Sequence, residues 1–312
     1  MRVGQNPMKS VERIEPPAAV TVVVINYIPA LSGYYAQSLE VLKRCLGSIV
    51  AHTDGDYELM VFDNASCAEV REYLLAEQAA GRIDYLTLAD RNLGKSAAWN
   101  VALAAAPGEV VVYADADVYF HPGWLPATLQ ALEDFPNAGM VSAKPLLTPP
   151  DKSPTTLAWL EQQNQWQVER GKIFPWEDLW SHARSIGYDE AGARQVWEEH
   201  QAIRLEDQGR AYFVGAVHFQ FAARRQVLLE ALPIPPEQPM GDANFLLDIA
   251  IDQLGYLRLC TAENYVDHMG NTLPSGAQVL SGQPTRRRPL PGPVRRLLEW
   301  LHNRTFHWLY RD

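Results

Sequence analysis

The chain has 312 residues, 47% hydrophobic and 21% charged, proportions that exclude a disordered protein and leave enough apolar surface for a sizeable core. Its formal net charge of -10 excludes a general nucleic-acid binder, because neutralising a phosphate backbone takes an excess of Lys and Arg. Three scattered cysteines, Cys45, Cys67 and Cys260, fit neither a disulfide framework nor a zinc spacing, so a reducing cytoplasm is expected. The sequence shows no signal-peptide core and no apolar run of roughly 18 residues, so neither secretion nor membrane spanning is expected.

Residues 1–18 are polar and proline-bearing and read as a flexible arm. VTVVVINY at 20–27 is a continuous β-branched run, of the kind buried on both faces of a parallel sheet. LEVLKRCLGSIV at 39–50 has helical apolar spacing, and YELMVF at 57–62 is a second buried strand ending at Asp63. A helix over 70–80, a short strand near 83–88, a helix closing over 100–106 and a strand EVVVYA at 109–114 follow. Alternating strands and helices predict an α/β, doubly wound, mostly parallel sheet with its ligands beyond the carboxyl ends of the strands. Polar residues gather at those ends: Asn26 after the first strand, Asp63, Asn64 and Ser66 after the second, Asp115 and Asp117 after the fourth.

From 148 to 211 the pattern changes to polar helices carrying Trp159, Trp166, Trp176, Trp180 and Trp197 without strand signal, which predicts a helical insertion. YFVGAVHFQFA at 212–222 returns to strand character, 241–254 is helical, and 256–261 is a last strand. The tail, 282–312, is proline-broken and then basic and amphipathic, with Arg295, Arg296, Arg304 and Arg311 among Leu and Trp residues. It predicts peripheral contact with an anionic membrane face or, alternatively, packing in a dimer.

The sharpest chemical feature is YADADVYF. In an extended chain residues i and i+2 point to one side, so Asp115 and Asp117 can face one ligand. Such hard oxygen donors suit Mn2+ or Mg2+ bridging to a diphosphate. Five segments, in order, resemble the family 2 glycosyltransferases of the GT-A fold over about 20–270: VTVVVINY, VFDNAS, RNLGKSAAWNVAL, ADADV, and PMGDANFLLDIAIDQLGYLRL followed by YVDHMG.

The resemblance implies a hexosyltransferase-type enzyme that moves a sugar from a nucleotide-diphosphate donor to an acceptor hydroxyl with inversion, in glycan or glycolipid biosynthesis. It makes 19–147 the nucleotide-sugar-binding half and 212–281 the acceptor and catalytic half. By position, Asn26, Tyr27, Asp63 and Asn64 line the nucleoside pocket, and Asn92, Gly94 and Lys95 shape the loop against the diphosphate. Asp115 lies near the ribose, Asp117 is the principal metal ligand and His268 completes the metal shell. Asp242 is the general base, although Gly241 stands where the family usually has Glu, which leaves Asp248 and Asp252 as alternatives. Gly215 lies beside the acceptor. Indole stacking on sugar rings adds Trp176 or Trp180 to the acceptor side, with core packing as the competing role. Uridine diphosphate sugars are the first donors expected and guanosine or thymidine ones the alternatives, with a carbohydrate or lipid-linked acceptor. The competing reading is a degenerate scaffold that binds carbohydrate or a partner without turnover. The glycine-rich turn of a dinucleotide dehydrogenase and the Gly-Lys-Ser/Thr loop of a P-loop enzyme are both missing.

Overall fold

The computed structural model describes residues 14–216, 218–236 and 243–273. Gly241, Asp242, the basic tail and most of the N-terminal arm lie outside the described residues. The first half follows the predicted alternation: β1 (Val20–Asn26), α1 (Ser38–His52), β2 (Tyr57–Asp63), α2 (Ala68–Ala79), β3 (Tyr85–Leu88), α3 (Lys95–Ala105) and β4 (Val110–Asp115). β3-β2-β1-β4 run parallel.

The β-branched run of β1 is buried on both sides because successive side chains face opposite layers. Val22 and Val24 join one core with Leu42 and Leu46 of α1, while Val23 joins a second with Trp99 and Leu103 of α3. β4 divides in the same way, sending Val112 and Ala114 to the first core and Val111 and Tyr113 to the second.

β5 (Val118–Phe120), α4 (Trp124–Asp134) and β6 (Ala138–Ser142) lead into the segment expected to be a purely helical insertion. That expectation is corrected. Between α5 (Pro154–Leu160), α6 (Trp176–Ser185) and α7 (Glu190–Glu199) it contains β7 (Gln167–Gly171) and β8 (Ala202–Asp207). The stretch of strand character at 212–222 holds parts of two strands, β9 (Arg210–Val214) and β10 (Gln220–Arg224). α8 (Arg225–Ala231), α9 (Ala243–Gln253), β11 (Leu257–Thr261) and β12 (Val266–His268) complete the chain.

Among the described residues ten strands form one sheet, β3-β2-β1-β4-β10-β6-β11-β9-β8-β7. Following the pairings across it, all but β7, β9 and β10 point the same way, so the sheet is mostly parallel. A separate two-stranded ribbon joins β5 to β12. No helix among the described residues is long and apolar enough to cross a membrane.

Candidate active site

β1 and β2 end side by side, with Asn26 opposite Asp63 in register. Their side chains are buried and largely spent on each other: Asn26 Nδ2 donates to Asp63 Oδ1 (3.1 Å) and to Ser66 Oγ (2.9 Å). Ser66 N donates to Asp63 Oδ2 (3.1 Å), and Arg71 pairs with the same oxygen at 3.3 Å. Asp63 therefore fixes the loop after β2 with a wholly buried carboxylate. Tyr27, one residue beyond β1, is exposed at this edge, its ring 6.4 Å from that of Tyr35.

Asn64 ties this loop to the one before α3. Its Oδ1 accepts from Leu93 N (2.8 Å), and its Nδ2 donates to Asn92 Oδ1 (3.0 Å) and Gly94 O (3.4 Å). Asn92 Oδ1 also accepts from Gly94 N (2.8 Å). Asn64 and Asn92 thus hold the loop's shape and deliver Lys95, the first residue of α3, to the end of β4. Lys95 Nζ lies 3.1 Å from the Asp115 carboxylate and rests over the rings of Trp99 and Tyr113 at 5.0 and 5.8 Å. Tyr113 also donates its hydroxyl to Asp115 Oδ1, and burial pushes that phenol well above its usual range.

The spacing of the two aspartates predicts one extended stretch, and the structure corrects this: they do not share a strand. Asp115 ends β4, while Ala116 and Asp117 form the turn into β5. The ribbon of β5 and β12 then sets His268 opposite Val118, and Met269 N donates to Asp117 O (2.8 Å). His268 Nε2 consequently lies 3.2 Å from Asp117 Oδ2. Burial is the main reason the Asp117 carboxyl is pushed up to about 6; Asp115 adds to the rise and His268 opposes it.

Three groups that the sequence reading missed surround this pair. Ser185 Oγ, at the end of α6, donates to His182 O (2.6 Å) and therefore accepts from His268 Nδ1 (2.9 Å). Phe219 lies 5.1 Å from the rings of both His268 and His182, and its carbonyl accepts from Asp115 N (2.7 Å). Burial, reinforced by His268, lowers His182 to about 3 and keeps it neutral. No local sequence signal reveals these contacts, since His268 and Ser185 are 83 residues apart.

The residues fit a divalent cation. Asp117 Oδ1 is buried without a hydrogen-bond partner, an arrangement costly for a carboxylate unless a cation meets it. Bonded at Nδ1, His268 in its neutral form turns the Nε2 lone pair toward Asp117. Among the described residues no three His, Cys, Asp or Glu side chains converge as a complete cage, so most of a cation's ligands would be phosphate and water oxygens, as Mg2+ commonly prefers.

Other predicted residues have different settings. Gly215 follows β9, donates to Arg258 O (3.0 Å) and packs so tightly on Thr148 that an added Cβ would lie 2.7 Å from Thr148 Oγ1. Trp176 and Trp180 stack on each other (6.1 Å, 5° between planes) and pack on a third core with Trp197, while Arg194 covers Trp176. They are spent on the insertion's own packing. Asp248 and Asp252, the alternative bases, neutralise the buried Arg258 at 2.5 and 2.9 Å.

Comparison with known proteins bears on the family and the fold. The chain is 29% identical over 136 residues to an uncharacterised glycosyltransferase of Nostoc sp. (strain PCC 7120), covering 43% of this chain and only 39% of that relative. GalNAc-T7 superposes with a TM-score of 0.52 at 15% identity, covering 82% of this chain and 44% of that one. Staphylococcus aureus TarS (residues 1–349) gives 0.46 at 14% identity, covering 79% and 59%. Residues 34–229 match the family described as Glycosyl transferase family 2, and with a mostly parallel GT-A sheet beneath its Asp117–His268 centre the chain belongs to that family.

Proposed function

We propose that the chain transfers a sugar from a nucleoside diphosphate donor to an acceptor hydroxyl, with inversion and with Mn2+ or Mg2+ at Asp117. The observation that carries this reading is the Asp117 carboxylate: half-buried, raised in pKa, with one oxygen 3.2 Å from His268 Nε2 and the other without a hydrogen-bond partner. Asp117 and His268 would hold the cation, which when bound supplies positive charge against the departing diphosphate. Lys95 exchanges Asp115 for a donor phosphate, a charge-assisted contact. Asp115 serves the ribose side. Tyr27 offers its ring to the base, while Asn26, Asp63, Asn64 and Asn92 act through the loops they hold. Gly94 lets that loop approach the donor.

On the acceptor side, Asp242 takes the hydroxyl proton by its position in the sequence. GalNAc-T7 was solved with UDP, GalNAc and Mn2+, which supports a uridine diphosphate sugar as the first donor to test. The acceptor is a carbohydrate or a lipid-linked glycan. Gly241, where a Glu is expected, favours a second reading in which the scaffold binds without turnover.

Thermal stabilisation by UDP, GDP and dTDP, each with and without Mn2+, tests the donor side. At least one nucleotide should raise the melting temperature in a metal-dependent way, and Asp117→Asn should remove the metal-dependent part. No stabilisation by any of the three would overturn the proposal. Metal-dependent binding without hydrolysis or transfer of the sugar would favour the scaffold.

A further inference from the structure

Beside the Asp117–His268 pair the insertion encloses a cavity of about 160 Å3. One wall is Leu146 and Leu147, in the chain leaving β6; the other is Phe174, Leu179, Ala183 and Val196. Two further lining residues, Asp178 and His182, come from α6. They stand one helical turn apart on one ridge of α6, next to the apolar ridge of Leu179, Ala183 and Ile186. The cavity is therefore oily along most of its length and polar along one strip, the usual construction of a small-molecule site.

The polar strip has unspent hydrogen-bonding capacity. His182 Nδ1 is buried without a partner. His182 also leads back to the reaction centre, its ring stacked on Phe219 and 5.8 Å from that of His268. At the other end Ile186 and Tyr188 are 50% and 52% exposed, leaving two large apolar side chains in water where a ligand would enter.

We propose that this cavity is the subsite for an apolar aglycone, about one six-membered ring in size, carried by a hydroxyl-bearing acceptor whose polar end meets Asp178 and His182. The size follows from the volume, since an apolar cavity of about 150 Å3 holds one benzene ring. The polarity follows from the strip: a hydroxyl or glycosidic oxygen satisfies His182 Nδ1, and the neighbouring His268 ring then brings the acceptor's sugar end toward the donor. This assignment replaces the stacked Trp176 and Trp180 as the acceptor contact. It rests on the proposed transferase activity for the word acceptor, whereas the binding itself does not.

Benzyl alcohol, with glycerol as the apolar-free control, is titrated into the full chain by ligand-observed NMR. Benzyl alcohol should bind saturably, 1:1, and glycerol should not. Ala183→Phe fills the cavity, and Ile186→Asp puts a charge at its exposed mouth with little risk to folding. Each should weaken benzyl alcohol at least about tenfold, roughly 1.4 kcal/mol, and Ile186→Asp, which lies just beyond α6, should leave UDP binding with Mn2+ unchanged. In turnover, a panel of benzyl glycosides should be used at least about tenfold better than the matching methyl glycosides, by kcat/KM. No saturable binding, equal affinity in Ile186→Asp, or equal use of benzyl and methyl glycosides would overturn the assignment. Failure of every nucleotide to bind, with benzyl alcohol behaving as expected, would overturn the transferase reading and leave the cavity as an apolar-ligand site.

Discussion

Removing one hydroxyl, in Ser185→Ala, tests whether the insertion prepares His268 for a metal. The Ser185 hydroxyl has one proton, and it goes to His182 O at 2.6 Å. Toward His268 Nδ1, 2.9 Å away, the oxygen can only accept, which puts the imidazole proton on Nδ1 and the lone pair on Nε2. Without Ser185 nothing specifies that choice. The Nε2–H tautomer can then donate to Asp117 Oδ2, 3.2 Å away, and such a pair must break before a cation binds. Loss of an outer partner of this kind costs roughly 10- to 100-fold in metal affinity, about 1.4–2.7 kcal/mol. Titration of Mn2+ by electron paramagnetic resonance, with UDP present, reads this directly. Ser185→Ala should weaken Mn2+ by that factor, and Ser185→Thr, which keeps the hydroxyl, should restore most of it. A folded Ser185→Ala protein with Mn2+ affinity within about twofold of the parent would refute the reasoning, since a group that fixes the ligand's other nitrogen should move it tenfold or more.

Arg258→Met leaves Asp248 and Asp252 without their buried counterion. A loss of about 3–5 kcal/mol in urea unfolding is expected at pH 7.5. Burial already pushes the Asp252 carboxyl up. A raised carboxyl opposes folding above its pKa and stops doing so as pH falls below it, so the deficit should narrow by pH 5; an unchanged deficit would show that the charges are not its cause. Gly270→Ala should cost at least about 1–2 kcal/mol for left-handed backbone alone, because Gly270 has φ +69° and an added Cβ would lie 2.7 Å from Ser185 O. Its Mn2+ affinity should fall along with the melting temperature. Lys95→Met should weaken UDP by about 10- to 100-fold, the worth of a hydrogen bond to a charged group, and flatten the salt dependence of binding by calorimetry. Equal affinity would remove Lys95 from the donor site.

What could be read from the residues follows from how locally each element is specified. β1, β2 and β4 announce themselves because burial on both faces forces unbroken apolar runs, and the helices between them carry their own spacing. β7 had no such signature: Gln167, Val168, Glu169 and Arg170 are exposed at the sheet edge, and their strand geometry comes from pairing with β8, a contact that spacing within the segment does not encode. β9 and β10 ran together because the apolar character of 212–222 continues through the link between them, although β11 and β6 separate the two in the sheet. In the site, the spacing of Asp115 and Asp117 gives an incomplete reason for their proximity. They reach one centre because a turn redirects the chain after β4 and the β5–β12 ribbon brings His268 back, not because they project from one strand.

The insertion is built into the fold. β8 pairs with β9 and β7 with β8, so residues 148–211 continue the main sheet. α5 bonds to the far half of the chain: Thr156 Oγ1 accepts from Arg258 N (3.0 Å), and Thr155 Oγ1 donates to Asp252 O (2.8 Å). α6 ends against Gly270 and gives Ser185 to His268. A histidine on a short ribbon gains fixed orientation only if something rigid holds its other nitrogen, and here that support comes from the segment that also walls the cavity. Changes that move α6 to admit a different acceptor group should therefore also disturb His268. On the proposed roles, acceptor choice and metal affinity would be coupled through one helix, by a single serine at its end.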